Sequence, residues 1–272
     1  MGEGSRSEAL KRIAGQIRER DSMRASLSAA KRRQLTMLPR IVPEAPGYEF
    51  AWVYEPAEHV SGDFYDLVDL GEGRIGVLMG DVSGHGMEAG MIMGMAKKAI
   101  QIYARAEAEG GPAEVLSQAN EDLGQDLDSE TFLTVVYGIL DGKAGNLEFI
   151  RAGHTHPILI GPEPGKWEVM KSGGMMIGMT GGPVFRRSLE PHHIALAPGQ
   201  TFFLYTDGII EAHERGGAIF GVDRLLEYLE AEAPSRKPLQ EVLDGLVGVL
   251  DEWTGGAEQE DDITVLAIRR DA

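Results

Sequence analysis

Short apolar runs with the spacing of strands meet aspartate at their ends again and again. Asp81 follows GVLMG and Asp207 follows FFLYT; Asp63 stands just before FYDLVDL, which contains Asp66, and Asp261 and Asp262 stand just before ITVLAIR. An apolar strand buries its body, so a carboxylate at its end lies at the rim of the core, close to other strand ends. Like charges gathered there repel and raise one another's pKa unless a cation sits between them. The plain alternative is turn chemistry, because Asp before Gly or Ser is a common turn residue. At a single site that alternative is the better reading; recurrence at four strand ends favours a shared site.

The remaining pattern predicts how those ends are brought together. Residues 48–54, 64–70 and 74–80 read as strands, the last two joined by Gly71-Glu72-Gly73 as a short hairpin loop. Residues 131–140 and 146–152 flank Asp141-Gly142 as a second hairpin. Further strands are expected at 156–160, 167–170, 184–189, 201–206 and 263–269. Helical spacing runs from Gly86 to about Ala108, again from Pro112, and over 222–232 and 237–252. Strands in neighbouring hairpins, with helices grouped between blocks of strands, argue for α+β with mainly antiparallel sheet. A regular βαβ alternation is missing, and neither GxxxxGK[ST] nor GxGxxG occurs, which weakens nucleotide-binding doubly wound folds.

Residues 7–38 lack proline and carry Leu10, Ile13, Ile17, Met23, Leu27 and Ala30 at helical spacing, with the register interrupted between Ile17 and Met23. This predicts one long helix or two short ones. So thin a stripe does not fold alone and needs the main domain, a second copy or a partner. Arg32, Arg33 and Arg40 could bind an anion but read first as a solvated helix face. Pro39, Pro43 and Pro46 end the pattern and put a boundary near residue 40. Charge divides at the same place. Residues 1–40 hold ten basic and four acidic residues, whereas 41–272 hold 16 basic and 39 acidic ones. The total of −17 disfavours nucleic acid as a partner, since such binding rests on many Lys and Arg contacts. Cysteine is absent, which removes disulfides, thiolate metal sites and cysteine nucleophiles. No run approaches the ~18 apolar residues of a membrane span and no signal-peptide core is present, so a soluble cytoplasmic protein is expected.

A carboxylate cluster without Cys, and without His at metal-ligand spacing, suits hard ions such as Mg²⁺ or Mn²⁺. Two such ions ~4 Å apart can share a bridging water, lower its pKa and hold a phosphoryl oxygen for in-line attack, so no protein nucleophile is needed. An aspartyl-phosphate mechanism needs a second Asp two residues after the nucleophile; Asp66 and Asp69 are three apart.

In order along the chain stand QLTMLP, SGDFYD, GDVSGHG, AGHTHP, LYTDGIIEA and DDIT. Over residues 34–269 this series resembles the SpoIIE/RsbU-type branch of the metal-dependent serine/threonine phosphatase (PPM) family. The resemblance implies a four-layer α-β-β-α sandwich of two antiparallel sheets flanked by helices, preceded by an N-terminal helical segment. It divides the chain into residues 1–40, a helical linker or switch, and 41–272, the phosphatase domain. It implies two Mn²⁺ or Mg²⁺ ions held by Asp63, Asp81, the Val82 carbonyl, Asp207 and Asp261, with Asp81, Asp207 and Asp261 central to catalysis and a metal-bridged water as nucleophile. Asp66 competes with Asp63 as the early ligand, and Asp262 is a supporting residue. Ser83 occupies the place of a histidine found in the wider family; His85 is not expected to be an essential acid, and His154 reads as structural. Thr155-His156 replaces a frequent Asn-Pro at the substrate rim, and Ser61 stands where glycine is common. Met87, Met91, Met93 and Met95 read as adaptable packing, or as part of a helix that shifts to complete the site.

By the same resemblance, the substrate is a phosphorylated anti-sigma-factor antagonist of STAS type in a partner-switching stress response. The expected partners are that protein, an upstream activator or sensor acting on residues 7–38, and a second copy of the chain. Few residues precede the helix, so a separate protein is expected to supply the signal, or the chain is a piece of a longer one. The rival from another class is a non-catalytic phosphoprotein-binding module of the same fold.

Overall fold

The structure, a computed structural model, describes residues 3–39, 41–107, 109–163, 165–232 and 237–272, without the side chains of 3–11. Arg40 and Ala108, named above, lie outside the described residues.

The first element is a single helix, α1 (Glu3–Leu35), so the break in apolar register does not interrupt the backbone. Strands β1 (Tyr48–Glu55), β2 (Phe64–Asp69) and β3 (Arg74–Val82) follow, then helices α2 (Gly86–Ala106) and α3 (Gly111–Leu123). Next come β4 (Leu133–Asp141), β5 (Asn146–Ala152), β6 (Ile158–Ile160) and β7 (Trp167–Val169). The chain ends with α4 (Gly182–Ser188), β8 (His192–Ala195), β9 (Thr201–Tyr205), α5 (Asp207–Ile210), α6 (Gly221–Glu232), α7 (Leu239–Thr254) and β10 (Ile263–Arg270).

One sheet has the order β1-β10-β9-β6-β7 and the other β2-β3-β4-β5-β8. Every pairing within them is antiparallel. Their inner faces meet in a core that includes Tyr65, Leu67, Val77, Met79, Phe202, Leu204, Leu266 and Ile268. Helices α2, α3 and α4 cover the outer face of the β3 sheet, and α6 and α7 cover that of the β9 sheet. This is the four-layer sandwich that the motif series implied.

One expectation is corrected. Residues 184–189 form no strand: Gly182 and Pro183 start α4, proline being suited to a first helical turn, and Phe185 turns into the core beside α3. The neighbouring strand is instead β8, a four-residue edge whose sequence, HHIA, carries no apolar alternation and which exists by pairing with β5.

Side-chain parity along the strands positions the functional residues. Alternate residues face opposite sides of a sheet. On β3, Ile75, Val77 and Met79 face the core between the sheets, and Asp81 continues that row. On β2, Tyr65 and Leu67 face the same core, so Asp63, two residues earlier, belongs to it as well. Asp66 shares its side with Phe64 and Val68, which pack under α2. Thr206 extends the inward row of Phe202 and Leu204, and Thr264 that of Leu266 and Ile268.

Candidate active site

Asp63 is 2% exposed. One of its oxygens, Oδ2, accepts hydrogen bonds from Thr206 Oγ1 at 2.8 Å and Thr264 Oγ1 at 2.6 Å. Burial, and after it the neighbouring Asp81 charge, raise its pKa well above the usual carboxylate range, while the two hydroxyls partly offset this. Asp81 is pushed up to about 8, first by burial and then by the charges of Asp207, Asp261 and Asp262. Asp261 is also raised, again by burial first; its Oδ1 accepts the Asp262 backbone N–H at 2.8 Å. The carboxylates separated in sequence are therefore electrostatic neighbours at one end of the seam between the sheets.

The competition between Asp63 and Asp66 is resolved by parity. Asp66, on the helix side of β2, accepts hydrogen bonds from Lys97 Nζ at 2.6 Å and from Gln101, both on α2, and from the Leu67 N–H at 3.0 Å. A carboxylate so engaged beneath a helix does not share the inter-sheet site. Asp262 also has a task of its own. Its two oxygens accept the Ala57 N–H at 2.8 Å and the Gly62 N–H at 3.0 Å, anchoring the loop that leads into Asp63.

Backbone crowding brings the elements together. A Cβ on Gly62 would stand 2.8 Å from the Val82 carbonyl oxygen and 3.4 Å from Asp81 Oδ1. A Cβ on Gly208, in the turn after Asp207, would stand 2.1 Å from the Asp262 carbonyl oxygen. Both positions require glycine for close approach. From the other side, Gln34 at the end of α1 is buried, its amide bonded to the Ser61 carbonyl at 2.6 Å and the Ser61 N–H at 3.0 Å. These threonines and Gln34 were not singled out from the sequence. The threonines could have been, since each stands within a quoted motif at the inward parity of its strand.

A cavity of about 510 Å³ adjoins the site at Asp261 and Asp262; its lining also includes Gly84, His85, Gly208 and Glu211, but not Asp63, Asp81 or Asp207. His85 is at the rim, largely exposed, its Nδ1 2.8 Å from Glu58 Oε1. Ser83 Oγ accepts the Phe132 N–H at 3.0 Å. His154 is buried between the sheets.

The donor set fits hard divalent cations. It consists of carboxylates, with the Val82 carbonyl beside Asp81, and burial, then neighbouring carboxylate charge, raises the pKa values of Asp63, Asp81 and Asp261. Among the described residues, no three His, Asp or Glu side chains already converge at metal-holding distances.

The family profile of Stage II sporulation protein E (SpoIIE) matches residues 71–271. The chain belongs to the SpoIIE family. This SpoIIE-family chain is similar to Protein IcfG of Synechocystis sp., with 29% identity over 91% of the chain and 42% of IcfG. It therefore spans less than half the length of that relative. It is also similar to the phosphoserine phosphatase RsbU of Bacillus subtilis, with 23% identity over 91% of the chain and 71% of RsbU. Among solved structures, the SiaA-PP2C domain of Pseudomonas aeruginosa superposes with a TM-score of 0.81 at 25% identity, over 93% of this chain and 99% of that one.

Proposed function

We propose that the chain is a metal-dependent phosphatase, a phosphoric monoester hydrolase acting on phosphoserine or phosphothreonine of a partner protein. The observation that carries this reading is Asp81, half-buried at the seam between the sheets and acted on by the charges of Asp207, Asp261 and Asp262, the last two of which line an open cavity. Asp63, Asp81, Asp207 and Asp261, with the Val82 carbonyl, would hold two Mn²⁺ or Mg²⁺ ions. When bound, such ions neutralise phosphoryl oxygens and turn water into a nucleophile at neutral pH.

The chain's own residues prepare that chemistry. Thr206 and Thr264 occupy one oxygen of Asp63 and so orient the other. Asp262 holds the loop preceding Asp63 through two backbone amides. Gly84 and Gly208 keep the cavity wall free of side chains where a phosphoryl group has to approach. His85, paired with Glu58 at the rim, is assigned no proton transfer.

The substrate is proposed to be a phosphorylated anti-sigma-factor antagonist of STAS type in a partner-switching pathway, working in the cytoplasm; similarity to RsbU supports this assignment. Residues 1–40 are taken as the switch and 41–272 as the catalytic domain. An upstream activator or a second copy of the chain would act on residues 7–38.

The test is hydrolysis of p-nitrophenyl phosphate with and without Mn²⁺, with Asp207→Asn alongside. Mn²⁺-dependent turnover that falls at least 100-fold in the variant is expected. Turnover unchanged by Asp207→Asn overturns the site. Mn²⁺ binding without turnover, on this compound or on a phosphorylated STAS protein, would favour the non-catalytic binding module.

A further inference from the structure

The connection from β5 to β6 carries the chain from one sheet to the other, and His154 lies within it, 3% exposed and without a part in the chemistry above. Its Nδ1 is 2.8 Å from Thr134 Oγ1. Thr134 is the direct partner of Asp81 across β4 and β3, so the two side chains leave the same face of the sheet next to each other. On the other side, Nε2 is buried without a hydrogen-bond partner, and the loop meets the β9 sheet at the Tyr205 carbonyl. Thr155 donates its hydroxyl to that same carbonyl. Tyr205 ends β9 and is followed by Thr206, which holds Asp63, and by Asp207.

Burial, with the nearby Arg151 charge, drives the imidazole down to about 3, so the ring is neutral and offers one donor and one acceptor. Its hydrogen-bonded nitrogen is Nδ1, which shares a proton with the Thr134 hydroxyl. Arg151 secures the loop, its guanidinium donating to the carbonyls of Gly153, His154 and Ser172.

We propose that His154 is a positioning residue, a strut between the sheets that sets the separation of Asp81 from Asp207. Ligand side chains need placement to within about 0.5 Å, and these two come from different sheets, which near the site are also linked by packing, by the threonine bonds to Asp63, by Thr155 on the Tyr205 carbonyl and by Asp262 on the Ala57 and Gly62 amides. The proposal rests on the metal-centre reading above.

The experiment is calorimetric titration of Mn²⁺ into the full chain, with thermal unfolding in chelator as the control on folding. His154→Leu is expected to weaken Mn²⁺ binding at least tenfold while the metal-free protein still unfolds cooperatively. His154→Asn, whose amide reaches the place of Nδ1, is expected to recover most of the loss. Thr134→Val removes one end of the strut without touching the imidazole; it should weaken binding several-fold, and Thr134→Ser should restore it. Wild-type affinity in His154→Leu, or in Thr134→Val where the leucine variant fails to fold, overturns the strut. Absence of Mn²⁺ binding in the wild type overturns the metal-centre reading itself, and the strut with it.

Discussion

Asp81 holds its proton more tightly than an ordinary carboxylate because it is partly withdrawn from water and faces three others. That has a direct consequence for stability. Its folded pKa, about 8, lies above the ordinary value of 3.8, so between those pH values the folded chain binds more protons than the unfolded one. Stability is then fully present below the unfolded value and is lost as pH rises through the folded one. Asp63 and Asp261, also raised, act in the same direction. The metal-free protein is expected to unfold at a lower urea concentration at pH 8 than at pH 5. Mn²⁺ should abolish the difference by supplying the counter-charge, and a midpoint independent of pH in chelator would contradict the coupling. At this scale strand parity places Asp63, Thr206 and Thr264 in the inward rows of β2, β9 and β10, although the sequence reading left Asp66 in competition with Asp63 and did not single out the threonines. The role of Asp262 was not legible, because its amide partners Ala57 and Gly62 are some 200 residues away in sequence.

Among the elements, α2 matters most to the site because it begins directly after the Asp81 strand and lies over β2. One buried ion pair ties it down: Lys97 on α2 and Asp66 on β2, 3% and 2% exposed. Burial lowers the Lys97 pKa and the Asp66 charge works against that shift. Removing one partner leaves the other charge buried with incomplete compensation, which typically costs about 3 to 5 kcal/mol. Lys97→Met should lower stability by roughly that amount in urea denaturation, and adding Asp66→Leu should recover much of it. A single variant as stable as wild type would mean that water reaches the pair. The helical spacing of α2 was plain in the sequence, as was the packing role of Met93, which is fully buried. Met87, Met91 and Met95 are 43%, 66% and 41% exposed, so only one of the four methionines expected to pack lies in the core. Periodicity identifies a helix; which of its faces is covered depends on the sheet beneath it.

At the scale of the molecule, a long basic helix stands against an acidic sandwich. Among the described side chains of α1, Ile13, Ile17 and Met23 are exposed, whereas Gln34 just before its end and Leu38 just beyond it are buried against the body. The residues that attach the helix are thus its last few, and removing 1–33 leaves them in place. This truncation is expected to preserve the fold while changing turnover or mass in solution, as measured by assay and light scattering. If neither changes, residues 1–33 are no switch. The composition, the alternating strands and the six ordered motifs determined the α+β class, the family and the aspartates worth examining, because strand parity and turn chemistry are local properties. Whether 184–189 would be strand or helix was decided by Phe185 finding its place beside α3, and β8 exists only through its pairing with β5. The same holds for the site. Asp63, Asp81, Asp207 and Asp261 come from separate stretches of chain, and only the packing of two sheets, joined through Thr155, Thr206 and Thr264, makes their charges act on one another.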